Sequence, residues 1–379
     1  MAHQDRPILI TGGTGFIASY LAMQLLEAGE RVVLFDCNPD QRRLTGFNKG
    51  PSNPKDPKYD PKDRFNAVRD RATFVQGDLT LLPHVLAVFD KHDPKSVFHL
   101  GALLSAGADA NPTFGFEVDL LGTRNVLEAA RIYGQHKPSD DPIKVLFPST
   151  IASFGQFPFP DPANPQQVIV RPPQAEDRLI VPNEAVQMPT TMYGVSKVAV
   201  ERLGEYYHSK SWVDFRAVRF PSVVGAARGP GGTTVYSTLM IQLPLLKIPK
   251  PYAVYVPKET RLDIIYIKDA VNALIRLHDA KNLKLRRVYN IAGIRIGGLA
   301  PQASDIETAV KVKNPEAAIT YETNQQLTDI VHTFGILGGT AAQDDWQWGG
   351  PQFDLARTVD DFKVDLENYP NRIKSIELY

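Results

Sequence analysis

The sequence of 379 residues predicts an α/β fold built on a doubly wound parallel sheet. Two observations support this prediction. Short runs of β-branched residues alternate with amphipathic helical stretches through the first half of the chain, an order typical of parallel strands joined by crossover helices. A glycine-rich turn also connects the first predicted strand to the first predicted helix.

The individual elements follow from the spacing of apolar residues and from glycines at the helix ends. A buried strand is predicted over residues 7–11, followed by a helix over 16–28 that stops at Gly29. A second long helix is predicted over residues 118–133 and stops at Gly134. The remaining predicted strands are 31–35, 73–75, 96–100 and 144–147.

The composition argues against several classes of protein. The 42 Lys plus Arg residues balance 42 Asp plus Glu residues, which argues against a broad cationic face for nucleic acid or an anionic membrane. The single cysteine, Cys37, excludes an internal disulfide framework and a cysteine-built zinc site. Neither a targeting signal nor an apolar run of the roughly 18 residues that a spanning helix needs is visible. We therefore expect a cytoplasmic protein.

Proline is over-represented, and its placement is uneven. The chain has 30 prolines, which is about 8% of the residues against roughly 5% in average usage. Two proline-rich stretches cover residues 45–70 and 156–189. Because each proline removes a backbone donor and fixes φ, neither stretch is predicted to form a helix or a central strand. The second stretch connects Thr150 to Tyr193, two candidate catalytic residues, so we expect it to lie near the site.

A glycine-rich turn of the Rossmann type occupies residues 11–18, Thr-Gly-Gly-Thr-Gly-Phe-Ile-Ala, between a predicted strand and a helix. Such a turn lets the backbone approach a pyrophosphate closely, and the helix N-terminus offers free N–H groups to the phosphate charge. We therefore predict that Gly12, Gly15, Phe16 and Ile17 bind a dinucleotide.

The choice of dinucleotide depends on the end of the next strand. Asp36 lies there, where a carboxylate accepts hydrogen bonds from the adenosine ribose hydroxyls and repels a 2′-phosphate. Because Cys37 rather than a basic residue follows, NAD is predicted over NADP. Further candidates lie after the third and fourth strands, at the edge of the sheet where ligands of such folds bind: Asp78, Leu79, Leu100 and Ala102. Asp78 can alternatively cap a helix.

The catalytic candidates are a Tyr-x-x-x-Lys pair and a threonine. Tyr193 and Lys197 begin a helical run that continues to residue 203. Residues four apart lie on one helix face, and an ammonium beside a phenol lowers the phenol pKa from its free value of about 10. Tyr193 is therefore the candidate general base for a substrate hydroxyl. Thr150 ends a predicted strand, and its hydroxyl can hold the reacting oxygen.

Together these motifs resemble the extended short-chain dehydrogenase/reductase family, which includes NAD-dependent epimerases and dehydratases. Within it, the sequence is most similar to the short-chain type of L-threonine 3-dehydrogenases. The similarity covers most of the chain apart from the two proline-rich stretches. Besides the motifs above, it is carried by residues 98–106, 125–130, 148–155, 191–197, 231–234, 260–262, 289–293, 345–348 and 353–355.

The resemblance implies an NAD-dependent enzyme that oxidises a secondary alcohol, with L-threonine or a related β-hydroxy (amino) acid as substrate. It implies proton abstraction by Tyr193, a lowered Tyr193 pKa because of Lys197, and contact of both residues with NAD. The substrate-binding residues that it implies are Ser105, Thr150, Tyr193, Thr233, Thr234 and Trp346.

The resemblance also implies a Rossmann doubly wound parallel sheet with a smaller C-terminal substrate-binding lobe. The NAD-binding domain would cover residues 1–220, with 262–298 returning to it, and the lobe would cover 221–261 and 299–379. A homodimer is expected, joined by a four-helix bundle to which each copy contributes residues 118–133 and 195–207. No metal, nucleic-acid or membrane partner is expected.

Three positions depart from the family pattern. Ala18 replaces the third glycine, Asp119 stands where asparagine is common, and Val235 stands where threonine dehydrogenases are expected to carry an acid. Val235 weakens the case for an amino group in the substrate. Two alternatives therefore stay open: a sugar-nucleotide epimerase or dehydratase that uses the same tyrosine, and a non-catalytic NAD-sensing protein. A diphosphate site for the first needs basic residues, and in the C-terminal third only Arg286–Arg287 stands out.

Overall fold

The computed structural model describes residues 6–38, 44, 72–135, 141–155, 159–161, 164–169, 180–248, 250–281, 283 and 285–368. The described strands are β1 (Ile8–Thr11), β2 (Val32–Asp36), β3 (Thr73–Gln76), β4 (Ser96–His99), β5 (Lys144–Thr150), β6 (Phe159–Asp161), β7 (Asn164–Ile169), β8 (Ile180–Val181), β9 (Asp214–Phe220), β10 (Ser222–Val224), β11 (Tyr252–Val254), β12 (Ile264–Tyr266), β13 (Val288–Asn290), β14 (Ile319–Tyr321) and β15 (Ile336–Leu337).

The helices connect these strands. They are α1 (Phe16–Glu27), α2 (Leu82–His92), α3 (Ser105–Ala110), α4 (Pro112–Phe116), α5 (Gly122–Gln135), α6 (Met192–Ser209), α7 (Tyr236–Leu245), α8 (Ile267–Asp279), α9 (Ala303–Lys313), α10 (Gln325–His332), α11 (Thr340–Trp346) and α12 (Leu355–Asn368). A π-helical segment, Glu117–Leu121, joins α4 to α5, and a short 3₁₀ turn, Ile151–Ser153, follows β5.

A seven-stranded sheet forms the centre of the fold, in the order β13–β9–β5–β4–β1–β2–β3. The pairs β1–β2, β1–β4, β2–β3 and β4–β5 are parallel. All four residues of β1 are buried, as expected for a parallel strand covered on both faces. The strand order reverses between β1 and β4, which is where ligands of doubly wound sheets bind. The predicted fold class is confirmed.

The chain divides into two compact units. The first comprises Met1–Pro148, Ala199–Ala217 and Glu367–Tyr379; within it, α2 and α5 pack against each other. The second comprises Ser149–Val198 and Val218–Leu366. It contains the small two-stranded sheets β10–β12, β11–β14 and β8–β15. The predicted domain boundaries at residues 220, 262 and 298 stay a prediction.

The helix predicted over residues 118–133 differs at its start. Its first turn is the π-helical segment, and regular α5 begins only at Gly122. Asp119 in that segment is 3% exposed, and its Oδ1 accepts the N–H of Leu103 at 2.7 Å. Thr123 Oγ1 donates to the Asp119 carbonyl at 2.5 Å. These side-chain bonds accompany the wider turn, a feature that apolar spacing does not reveal.

The described parts of the second proline-rich stretch form short strands outside the central sheet. β6 pairs with β7 in an antiparallel sheet, and β8 pairs with β15. This agrees with the prediction that prolines exclude a central strand there. The stretch 45–70 lies outside the described residues. Within the described part of the chain, no helix has the length and apolar character needed to cross a membrane; the cytoplasmic location stays a prediction.

Candidate active site

The glycine-rich turn between β1 and α1 leaves no room for side chains. Gly12 has a φ of +65°, and a Cβ atom there would lie 2.7 Å from both N and Cα of Gly101. A Cβ on Gly15 would lie 2.9 Å from the Gly12 carbonyl oxygen. α1 begins at Phe16 with no capping side chain and no acidic residue in its first turn. Its first N–H groups are therefore available to an anion, and Gly12, Gly15, Phe16 and Ile17 are all partly exposed.

Asp36 ends β2, and the glycine-rich turn holds its carboxylate. Oδ2 accepts the N–H of Thr14 at 3.0 Å and the Thr14 hydroxyl at 2.7 Å, while Oδ1 accepts the N–H of Asn38 at 3.0 Å. Each oxygen keeps acceptor capacity for ribose hydroxyls. Burial, together with Asp36 and Asp78, raises the pKa of the neighbouring Cys37 thiol. A cysteine side chain carries no positive charge in either protonation state, so this position does not attract a 2′-phosphate.

The segment after β3 is held by contacts from elsewhere in the first unit. Asp78 Oδ1 accepts the N–H and the hydroxyl of Thr80, both at 2.8 Å, and so forms a turn ahead of α2. Asn125 Nδ2 donates to the carbonyls of Leu79 at 2.8 Å and Thr80 at 3.2 Å. A Cβ on Gly101 would lie 2.4 Å from Leu79 Cδ1. Sequence reasoning missed the positioning role of Asn125, because only the tertiary contact reveals it.

Three predicted site residues follow β4 at the carboxyl edge of the sheet: Leu100, Ala102 and Ser105. Leu100 donates its N–H to the Thr11 carbonyl at 3.1 Å, so it stays in register beside β1. Leu100 and Ala102 are partly exposed. Ser105 is 8% exposed and begins α3.

His99 is a buried structural histidine, 1% exposed. Thr123 uses its hydroxyl proton on the Asp119 carbonyl, so its oxygen accepts from His99 Nε2 at 2.8 Å. His99 Nδ1 lies at hydrogen-bond distance, 2.6 Å, from Thr11 Oγ1. Both ring nitrogens of His99 therefore have hydrogen-bond partners inside the fold, which is typical of a packed histidine.

Tyr193 and Lys197 lie in the first turns of α6. Thr191 caps the helix, because its Oγ1 accepts the N–H of Gly194 at 3.1 Å. Lys197 is 4% exposed, and its Nζ lies 5.2 Å from the centroid of the Tyr193 ring. The predicted pairing of ammonium and phenol on one helix face is present in the structure.

The start of α6 packs directly against the segment that follows Thr150. A Cβ on Gly194 would lie 2.5 Å from the carbonyl oxygen of Ala152. Thr150 is partly exposed, and its hydroxyl oxygen accepts the N–H of Ala152 at 3.2 Å. Its hydroxyl proton has no acceptor among the described residues, so it remains available to a ligand oxygen. The close approach at Gly194 brings the Tyr193 and Thr150 segments together.

Both ends of the second proline-rich stretch lie at this segment. Gly155 and Met188 form an isolated parallel bridge, and Met188 donates its N–H to the Phe154 carbonyl at 2.9 Å. A Cβ on Gly155 would lie 2.2 Å from the Met188 carbonyl oxygen. The two ends of the stretch therefore lie side by side, next to the segment that follows Thr150. Residues 156–158, 162–163 and 170–179 of the stretch lie outside the described residues.

Thr233 and Thr234 lie in a partly exposed loop ahead of α7. Tyr255 donates its hydroxyl to the Thr233 carbonyl at 2.8 Å, and Ser222 donates its hydroxyl to Thr234 Oγ1 at 2.8 Å. Arg228 lies beside the same loop, with Nη2 3.6 Å from the position of a Cβ on Gly232. Sequence reasoning missed Arg228, whose place in the chain carries no motif.

Trp346 is the most buried of the predicted substrate residues, at 7% exposed. Its ring centroid lies 6.0 Å from that of Tyr289 and 5.7 Å from that of Trp348. These contacts are those of a packed aromatic cluster in the second unit, and a substrate contact for Trp346 stays a prediction. Among the residues that the structure describes, no cluster of three or more His, Cys, Asp or Glu side chains could hold a metal ion.

Comparison with known proteins agrees with this geometry. The model of the NAD dependent epimerase/dehydratase family matches residues 8–292. This chain belongs to that family. An uncharacterized epimerase/dehydratase of Staphylococcus saprophyticus is 30% identical over 282 residues, which are 74% of this chain and 78% of the relative.

Solved structures similar to this family member include L-threonine dehydrogenases. That of Clostridium difficile is 26% identical with a TM-score of 0.75, covering 96% of this chain and 98% of the other. That of Phytophthora infestans is 29% identical with a TM-score of 0.73, covering 96% and 99%. A UDP-glucose 4-epimerase of Thermotoga maritima, 21% identical with a TM-score of 0.68 over 95% and 98%, shares the fold.

As expected for an epimerase/dehydratase family enzyme, the cofactor is NAD, and the first unit fits it. The Gly12 cradle admits a pyrophosphate where a side chain would collide with Gly101. The uncapped N-terminus of α1 offers N–H groups to its charge. Asp36 offers a carboxylate to the ribose.

Replacing Asp36 with alanine tests its assignment to the ribose. We expect the Kd for NAD to rise by about 10- to 100-fold, because hydrogen bonds to a charged group contribute roughly 1.5–3 kcal/mol. The Kd for NADP should fall or stay constant, since the 2′-phosphate no longer meets a carboxylate. Fluorescence titration with NADH and NADPH measures both. An equal loss for the two cofactors would mean that Asp36 acts only by holding Thr14.

Proposed function

We propose that this enzyme oxidises the secondary alcohol of L-threonine or a related β-hydroxy (amino) acid with NAD. The observation that carries the proposal is the arrangement at the start of α6. Lys197 Nζ lies 5.2 Å from the Tyr193 ring, and Gly194 packs against Ala152 next to Thr150. The second unit therefore contains the proposed base Tyr193, the ammonium of Lys197 beside it, and the Thr150 hydroxyl that would hold the reacting oxygen.

In the proposed reaction, the Thr150 hydroxyl donates a hydrogen bond to the reacting oxygen, and the Tyr193 phenolate takes the hydroxyl proton. The Lys197 ammonium, 5.2 Å from the centroid of the Tyr193 ring, would stabilise that phenolate. When bound, NAD would supply the acceptor for the hydride that leaves the carbinol carbon, and NADH would result. The C–H bond breaks as the C=O bond forms, and L-threonine would give 2-amino-3-oxobutyrate.

A substrate panel tests the proposal. Purified protein with NAD should produce NADH, seen as absorbance at about 340 nm, when given L-threonine or a β-hydroxy acid. No absorbance change across the panel would defeat the proposal. A sample without protein and a sample of the Tyr193→Phe variant serve as controls.

The second candidate is a sugar-nucleotide epimerase or dehydratase, and the family to which the chain belongs favours keeping it. Its diphosphate would need free basic residues. Arg286 is already committed, because its Nε pairs with Glu184 Oε1 at 2.7 Å and its Nη1 with Asp345 Oδ2 at 3.4 Å. The diphosphate of a sugar nucleotide would therefore need a basic residue other than Arg286. An epimerisation assay with UDP-glucose that gave UDP-galactose would reverse the choice.

A homodimer joined by α5 and α6 belongs to the same proposal. The two helices correspond to the pair that the family resemblance assigns to the dimer, and Val195 on α6 is 46% exposed. Sedimentation equilibrium should give twice the chain mass of 42.0 kDa, and Val195→Glu should shift it toward the monomer.

A further inference from the structure

Arg228 is a partly buried guanidinium without a carboxylate partner among the described residues. Its Nη1 donates to the Val223 carbonyl at 2.8 Å and approaches Ser222 Oγ and Thr238 Oγ1, each at 3.4 Å. Within the described part of the chain, no acceptor receives its Nε or Nη2 hydrogens. A buried charge is costly unless it is paired, so this edge of the guanidinium is suited to an anion that arrives with a ligand.

The charge of Arg228 lies within electrostatic range of the proposed base, Tyr193. Burial lowers the pKa of Arg228 to about 10, and the phenols of Tyr255 and Tyr193 act in the opposite direction because they lie within range of its charge. At neutral pH the guanidinium is still charged. An anion bound to its free edge would therefore pair a charge that also acts on Tyr193.

A second donor points to the same kind of ligand. Ser222 Oγ accepts from Arg228 Nη1 and donates to Thr234 Oγ1 at 2.8 Å. The Thr234 hydroxyl proton has no acceptor among the described residues and is available to a ligand. The next residue, Val235, is apolar and 9% exposed. This loop thus offers a cation and a hydroxyl donor, and its neighbour Val235 adds no negative charge.

We propose that the Nε–Nη2 edge of Arg228 binds the carboxylate of the substrate, with Thr234 as a second donor. The inference rests on the proposed function and narrows its substrate class to 3-hydroxy carboxylates. A planar carboxylate matches the guanidinium fork with two parallel hydrogen bonds. A neutral secondary alcohol would leave the charge unpaired, so it should be turned over poorly.

Matched acid and amide substrates test this proposal. The pairs are 3-hydroxybutyrate with 3-hydroxybutyramide, and L-threonine with L-threoninamide. We expect the wild type to prefer the acid of an accepted pair by on the order of 100-fold in kcat/KM, and Arg228→Met to abolish that preference. The ratio is measured within one enzyme preparation, so partial misfolding cancels. Arg228→Lys keeps the charge without the fork and should retain an intermediate preference.

The control variant is Arg357→Met. Arg357 belongs to the same unit and is exposed, and its guanidinium donates to the Gln352 carbonyl. This variant removes the same charge elsewhere and should keep the wild-type ratio. An unchanged acid-to-amide ratio in Arg228→Met would overturn the proposal even though oxidation proceeds.

Binding without turnover separates this inference from the proposed function. Butyrate has no hydroxyl and cannot be oxidised, so calorimetric titration into the NAD-loaded wild type measures the carboxylate site alone. We expect butyrate to bind, butyramide not to bind, and Arg228→Met to lose the butyrate signal. Absence of butyrate binding, or equal binding by wild type and variant, would overturn the inference whatever the panel shows. Binding of UDP that depends on Arg228 would also overturn it, since the anion would then be a phosphate.

Discussion

The Tyr193→Phe variant should lose secondary-alcohol oxidation, with kcat reduced by about 10²- to 10⁴-fold, the range typical of a general base. Phenylalanine keeps the ring beside Lys197, whose Nζ lies 5.2 Å from the ring centroid, but it cannot accept the substrate proton. Steady-state NADH formation measures kcat, and NAD affinity is followed separately by fluorescence titration. We expect that affinity to change little, because the glycine-rich turn and Asp36 are untouched.

Tyr206→Phe is the matched control for this change. Tyr206 lies on the same helix and is 50% exposed, and its loss of a hydroxyl should leave kcat at the wild-type level. If Tyr193→Phe retained full activity, the general base would lie elsewhere. If neither protein oxidised any alcohol while both bound NAD, the non-catalytic NAD-sensing alternative would gain support.

The Gly12→Ala variant should lose NAD binding, with Kd raised by on the order of 100-fold or more. Its Cβ would lie 2.7 Å from N and Cα of Gly101, and two backbone segments cannot rotate out of the way as a side chain can. The turn must open, which displaces the N–H groups that meet the pyrophosphate. Calorimetric titration with NAD measures the loss, and circular dichroism verifies that the sheet persists.

Gly29→Ala separates this collision from backbone strain. Gly29 has a φ of +86°, also in the left-handed region, but no atom lies within 4 Å of a Cβ built there. Alanine at either position costs about 1–2 kcal/mol of strain. We expect Gly29→Ala to be less stable than the wild type but to bind NAD with unchanged affinity. Equal loss of affinity in both variants would show that strain alone explains Gly12.

The parts of the candidate site that the sequence predicts are short segments of the chain. The glycine-rich turn, the strand end at Asp36 and the pair Tyr193–Lys197 each lie within one turn or one helix. Local geometry dictates what such residues can do, because a helix places positions four apart on one face.

The contacts that were missed join residues far apart in the chain. Asn125 donates hydrogen bonds to the carbonyls of Leu79 and Thr80. No sequence pattern around these residues indicates that they are in contact. The π-helical segment was also missed, because it is accompanied by the bond from Leu103 to Asp119 while the apolar spacing still indicates a regular helix.

The sequence by itself determined the fold class, the cofactor and the identity of the proposed base, since these depend on patterns of a few residues each. Only the tertiary structure decided which side chains from distant parts of the chain surround the proposed base and the Thr233–Thr234 loop. Arg228 follows β10 with no recognisable motif, yet folding brings it within range of the charge of Tyr193 and to the side of Thr234 through Ser222. Burial then leaves its guanidinium without a described carboxylate, a property that arises only when distant segments meet.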